Sequence, residues 1–198
     1  MSLSFPAEKF SIIYADPPWT FRTWSAEGKG RSPENHYGCM SLADIRALPV
    51  SDIAATDCAL FLWVTDPLLP EGLRLMEAWG FKYKTVAFNW SKMNKSAPPM
   101  LWTETDFFTG LGYWTRANPE LCLLGTKGKP KRVSKNVKRL VISPRREHSR
   151  KPDEVADRIV QLMGDLPRIE LFARQSRQGW SIWGNDTEKF NGPKDHVR

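Results

Sequence analysis

The stretch CALFLWVT, residues 58–65, is almost entirely apolar. A strand with no polar face has to be covered on both sides, so the chain is expected to build a sheet with helices against each face. The segments around it alternate in the matching way. FSIIYA, YKTVAFNWSK, ELCLLGTKG and RIELFAR read as further strands, and GWSIWGN as a short strand or turn. SLADIRAL reads as a short helix with Ser41 as N-cap, PEGLRLMEAWG as a helix ending at Gly80, and KPDEVADRIVQLMG as a helix with Pro152 in its first turn and Gly164 at its end. This alternation predicts an α/β class with a mainly parallel sheet, and 198 residues suit one domain over 1–198. Ligands of such sheets sit outside the carboxyl ends of the strands, where Asp16, Asp66, Lys92 and the residues after Phe172 fall.

One strand stops abruptly. In SIIYADPPWT two prolines follow Asp16, and proline supplies no N–H to continue a ladder. Asp16 and Trp19 are therefore expected on a stiff turn at the strand tip. This pattern suits methyl transfer to an exocyclic base amine, whose lone pair is delocalised into the ring. Asp16 and the Pro17 carbonyl could accept the amine hydrogens, with Pro18 stiffening the turn and Trp19 stacking on the base. Proximity to an in-line methyl donor would supply much of the rate. On its own the tetrapeptide equally suits a turn followed by a core tryptophan.

The charge distribution points to a polyanion. Residues 127–151 hold eleven Lys or Arg against one acid, Glu147, a local +10 in a chain of +7, so the remainder carries −3. Such a segment is an electrostatic footprint for nucleic acid or a solvated basic loop, here expected as an insertion beside the site. Lys131, Arg132, Arg145 and Arg146 are the candidate phosphate contacts. A second long loop is expected over residues 92–114. Three cysteines without CxxC spacing predict reduced thiols, and His36 with Cys39 makes too few ligands for a metal site. No apolar run reaches the length of a membrane span and no signal sequence is visible, so no membrane association and a cytoplasmic location are expected.

DPPW behind an apolar strand resembles the catalytic motif of amino-group methyltransferases that use S-adenosylmethionine. The blocks ADPPW, HYGCMS, LFLWVT, ELCLLGTKG, HSRKPDE, IELFAR and GWSIWGND occur in the order of the family of the seventy-kilodalton mRNA adenosine methyltransferase subunit, and nearly the whole chain resembles it. The resemblance implies a Rossmann-like methyltransferase sandwich, permuted so that DPPW comes first and the cofactor strand late. Asp16, Pro17, Pro18 and Trp19 would be catalytic; Asp16, Lys151, Glu170, Phe172, Arg174, Asn185 and Asp186 would hold S-adenosylmethionine; and Tyr37 would flank the target base. The family often has an acid and an apolar residue upstream of DPPW for the cofactor adenine; here only fifteen residues precede Asp16, so that pocket would be built from Phe5 to Phe10 or from elsewhere and is unassigned. QSRQGW replaces a family His-Asn pair, leaving Gln175 and Ser176 as substitutes.

The expected activity is methylation of N6 of adenine in DNA, since so compact a chain fits a bacterial or phage enzyme. N6-adenosine methylation of RNA and a catalytically silent nucleic-acid-binding subunit are the alternatives. Pairing with a second copy through Trp90 and the 92–114 loop stays open.

Overall fold

The apolar run lies in the middle of the sheet and is longer than its sequence suggests. In the computed structural model, which describes residues 4–19, 40–112, 114–147 and 150–191, it forms β2 (Ala54–Val64). Chain order then fixes the other labels: β1 (Phe10–Ala15), α1 (Leu42–Ala47), α2 (Val50–Ile53), α3 (Leu69–Ala78), β3 (Lys82–Met93), β4 (Glu120–Lys127), β5 (Leu140–Pro144), α4 (Asp153–Met163), β6 (Arg168–Leu171) and β7 (Ser181–Trp183). Seven strands among the described residues form one sheet in the order β5-β3-β4-β2-β1-β6-β7. β4 runs antiparallel to both β2 and β3, and every other pairing is parallel.

Both sheet faces are covered, as the unbroken apolar run requires. Ile13 and Ala15 of β1 with Leu60, Leu62 and Val64 of β2 pack against Ile45, Leu75, Met76 and Trp79 from α1, α3 and the turn after it. The alternate residues Ile12, Tyr14, Ala59, Phe61 and Trp63 pack against Val155, Ile159 and Met163 of α4. This two-residue alternation is the pleat of a strand whose faces are both interior. The helix ends follow local chemistry. The Asp44 N–H donates to the Ser41 hydroxyl at 3.1 Å, and Gly164 closes α4 at φ 89°, a left-handed value that a Cβ would oppose.

The basic segment departs from its expected form. It is not one loop beside the site. β4 carries the chain to the opposite rim, where the Lys129 N–H donates to Asp57 and the Val133 N–H to the Leu162 carbonyl near the end of α4. β5 then pairs with β3 and returns the chain to the carboxyl rim at Pro144. Lys131 and Arg132 therefore lie at the far rim, separated from Arg145 and Arg146 by about 17 Å for a five-residue strand. LVIS was hidden because its four-residue run is too short to stand out between basic flanks.

Trp79 is the most informative place to test the packing. It is fully buried, and its indole N–H donates to the Ile45 carbonyl at 3.1 Å, tying the end of α3 to α1. Trp79→Ala is expected to lower unfolding stability by about 3–5 kcal/mol in urea titration, with unchanged β-sheet signal in circular dichroism below the transition.

Candidate active site

The site grows from the tip of β1. Parallel pairing with β2 on one side and β6 on the other brings Ala15 level with Leu62 and Leu171. Asp16 is thus the first residue past the ends of β1 and β6, beside the last residues of β2, and Pro17, lacking an N–H, ends the ladder there. The Trp19 N–H donates to the Pro17 carbonyl at 2.8 Å, which closes a tight turn. That carbonyl keeps one lone pair for another donor.

Behind the turn runs a chain of alternating charge. Lys151 donates to Asp16 Oδ2 at 2.7 Å and lies 3.1 Å from Glu120 Oε1; Glu120 Oε2 in turn lies 2.9 Å from Lys92 Nζ. Burial raises the Asp16 carboxyl above its ordinary range, and the Lys151 charge only partly opposes this. Burial also works against ionised Glu120, but Lys151 and then Lys92 outweigh it and hold that carboxyl low. Burial disfavours a charged Lys151, yet Asp16 and Glu120 hold it firmly protonated. The Lys151 ammonium also sits 5.5 Å from the Trp63 ring.

In front of the turn is a shallow cleft, open to solvent on one side. Asp16 and Glu170 line it with carboxylates; Arg150, Lys151, Arg174 and Arg177 with cations; and Tyr14, Phe172 and Phe190 with aromatic surface. Phe172 follows β6 at φ 60°, a left-handed conformation that strains a bulky residue, on the wall of the cleft. Next to it a Cβ on Gly184 would lie 2.8 Å from the Ala173 carbonyl, so the loops after β6 and β7 approach as closely as backbone allows. Asp153, on the first turn of α4, accepts from Arg146, Gln175 and Arg177 and braces the cleft floor. Burial disfavours its charge, but these donors depress its titration well below the ordinary range.

Asp16, Lys151, Glu170, Phe172 and Arg174 therefore meet around one cleft. Other expected site residues do not join them. Trp19 is only 6% exposed and lies in the core, where its indole N–H donates to the Trp63 carbonyl at 3.1 Å; its ring is not an open stacking plate. Asn185 and Asp186 follow β7 on the surface, with Asp186 3.5 Å from Lys189, and they do not line the cleft. Arg146 is committed to Asp153 at 2.6 Å and to the Lys151 carbonyl at 2.7 Å, which makes it a brace. Arg145 is exposed and stacks on Phe108, 3.5 Å from the ring centroid. Tyr37 lies outside the described residues, as do His36 and Cys39.

Several site residues escape a sequence reading. Glu120 stands at the start of a strand, and only the reversed direction of β4 brings it to the carboxyl rim. Arg177 occupies the stretch where Gln175 and Ser176 were the expected substitutes. Its Nε lies 3.4 Å from Glu170 while Gln175 bonds Arg150 and Asp153, and Ser176 turns to Asn191. Phe190 reaches the cleft because its N–H donates to the Arg174 carbonyl at 2.9 Å. Nothing in the local sequence marks that contact.

Glu170 offers a test of these electrostatics. Burial pushes its carboxyl from 4.5 up to about 7, against the pull of Arg177. The folded state thus favours the neutral acid, a contribution present in full below the unfolded value of 4.5 and lost as pH rises through 7. Glu170→Gln is expected to gain stability relative to the parent between pH 5 and pH 8, by about 3 kcal/mol at most. Urea unfolding at the two pH values measures the difference; an unchanged difference would mean that Glu170 is ionised throughout.

Comparison with known proteins agrees with this geometry. The MT-A70 family profile matches residues 10–186, from the start of β1 to just past β7. The type II methyltransferase M.MunI of Mycoplasma sp is 36% identical, over 90% of this chain and 78% of that protein. An N(6)-adenosine-methyltransferase MT-A70-like protein of Arabidopsis thaliana is 32% identical over 89% of this chain, and the METTL3 catalytic subunit of Homo sapiens 28% identical over 91%. The chain spans only 23% and 28% of the length of those two relatives. With a sheet, a DPPW turn and a matched span that coincide from β1 through β7, the chain belongs to the MT-A70 family of methyltransferases.

Proposed function

We propose that the protein methylates N6 of adenine in DNA with S-adenosylmethionine as donor. The observation that carries this reading is the placement of Asp16. A half-buried carboxylate sits at the rim of β1, paired to Lys151 on one side and facing the mixed-charge cleft on the other. The Mycoplasma relative, named a type II methyltransferase and covered over 78% of its length, supports methyl transfer.

The cleft chemistry fits the donor. A sulfonium amino acid carries a carboxylate, an ammonium and ribose hydroxyls, and the cleft provides cations, carboxylates and aromatic walls together. S-adenosylmethionine supplies the electrophilic methyl group when bound. Lys151 or Arg150 would take its carboxylate, Glu170 and Arg174 its ribose region, and Phe172 and Phe190 would keep water from the reacting centre. Asn185 and Asp186 would have to turn inward to reach the adenosine end.

The acceptor amine is the work of the DPPW turn. Asp16 and the remaining lone pair of Pro17 accept its two N–H groups, drawing the nitrogen lone pair out of ring conjugation and toward the methyl carbon. Asp16 accepts the departing proton, a role its raised titration suits. Lys151 holds that carboxylate in one orientation. With Trp19 buried, its contribution is to fix the turn from behind, and Tyr37 remains the proposed flank of the base. Among the described residues the Arg145 guanidinium makes no hydrogen bond, and it is the leading phosphate contact.

The deciding experiment incubates the protein with cofactor and plasmid, digests the product and identifies the methylated nucleoside and its flanking bases. A second reading, methylation of adenosine in RNA, is favoured by the names of the plant and human relatives; tritium transfer to RNA and DNA oligonucleotides in competition separates the two. Asp16→Ala is expected to lower turnover by about a hundredfold or more, with DNA affinity near that of the parent. Full turnover would remove Asp16 from the chemistry. Arg145→Ala should reduce the slope of log affinity against log salt by about one, and an unchanged slope would mean that Arg145 does not touch phosphate.

A further inference from the structure

The segment between β3 and β4 exposes more large apolar side chains than any other part of the described chain. Leu101 is 93% exposed, Trp114 92% and Met100 73%, and Trp102 and Leu111 are also exposed. Its base is nevertheless well fixed. The Phe108 N–H donates to the Lys92 carbonyl, Asn118 donates to the Lys92 and Phe108 carbonyls, and Gly110 pairs with Ala117. The Thr103–Asp106 capping box closes a turn of 3₁₀ helix beside the tip, and the Trp102 indole is tied to the Pro98 carbonyl at 2.7 Å. Leu101 itself is held at φ 61°, a left-handed backbone that a γ-branched residue rarely adopts. A strained, fully projecting leucine on an anchored base is a built feature.

Its position says what it meets. The loop leaves Met93 and returns at Glu120, the two strand ends that carry the Lys92–Glu120–Lys151–Asp16 chain. It therefore rises from the same rim as Asp16, on the strands two and three places from β1. Lys95, Arg116 and Arg145 are exposed around it, and Arg145 is stacked on Phe108 at the loop base. Glu104 is also exposed near the tip, so the cations gather toward the loop base, where they match the phosphates that edge a base stack.

We propose that Leu101, flanked by Met100 and Trp102, is a wedge that enters duplex DNA and holds the target adenine out of the stack. The inference rests on the proposed methylation of adenine in DNA. An adenine inside a duplex cannot present its amine to a carboxylate recessed at a sheet rim, so it has to be extruded. An apolar side chain between the parted base steps replaces the lost stacking contacts, as minor-groove wedges do. A single-stranded substrate needs no such device.

The test uses the mapped target sequence in two forms, duplex and single-stranded, with the full chain. In the duplex, 2-aminopurine replaces the target adenine and brightens when it leaves the stack. Leu101→Ala and the Met100→Ala/Leu101→Ala pair are expected to lower kcat/KM on duplex by about tenfold or more and to abolish the brightening. Turnover on the single strand and the melting temperature should stay at the parent values. An equal loss on both forms, or none on either, overturns the wedge while leaving adenine methylation intact. A loss accompanied by dissociation of a dimer in sedimentation also overturns it and makes the loop a pairing surface. A parent protein inactive on every DNA overturns the proposed function itself and the wedge with it.

Discussion

A buried lysine between two carboxylates organises this molecule. Lys151 stands just before α4, far in sequence from Asp16 at the end of β1 and from Glu120 at the start of β4, yet touches both. An ammonium out of water costs several kcal/mol unless its partners are fixed close by. The sheet provides that fixation, because β4 and β1 flank β2 and their rim ends are held in register. Lys92 completes the sequence of charges from the next strand. Removing Lys151 would leave two buried acids facing each other, so this cation holds the fold and the site together.

The same arrangement explains the division of labour around the cleft. Charges on the sheet side are paired with one another; Lys151 holds one oxygen of Asp16, and burial keeps that carboxyl titrating high despite the pairing. On the open side Arg177 and Glu170 are more loosely matched, at 3.4 Å, and can exchange partners with an incoming polar ligand. Asp153 fastens the start of α4 to the loop between β6 and β7 through Gln175 and Arg177, and to the segment after β5 through Arg146. The wall that faces a ligand is thus braced from behind by a separate ion cluster.

Much of this was legible in the residues. CALFLWVT announced a two-sided sheet, and the helices around Ser41, Gly80 and Gly164 ended where their caps said they would. Asp16, Lys151, Glu170 and Phe172 were found by motif, and they line one cleft. The illegible parts depended on direction and distance. Strand periodicity does not reveal which way a strand runs, so Glu120 and the far-rim position of Lys131 and Arg132 were hidden in β4. A tryptophan at a strand tip can face solvent or the interior with the same neighbours in sequence; the carbonyl of Trp63 decides for Trp19.

Two prolines directly after β1 also constrain how the chain can vary in length. β1 is gripped by parallel neighbours on both edges, and successive residues point to opposite interior layers. One extra residue inserted there would swap the two layers and turn the carboxylate of Asp16 away from Lys151. The excursion between β3 and β4 has no such lock beyond its hydrogen-bonded neck. That excursion can be lengthened or recast without disturbing the sheet, while β1 must keep its residue count.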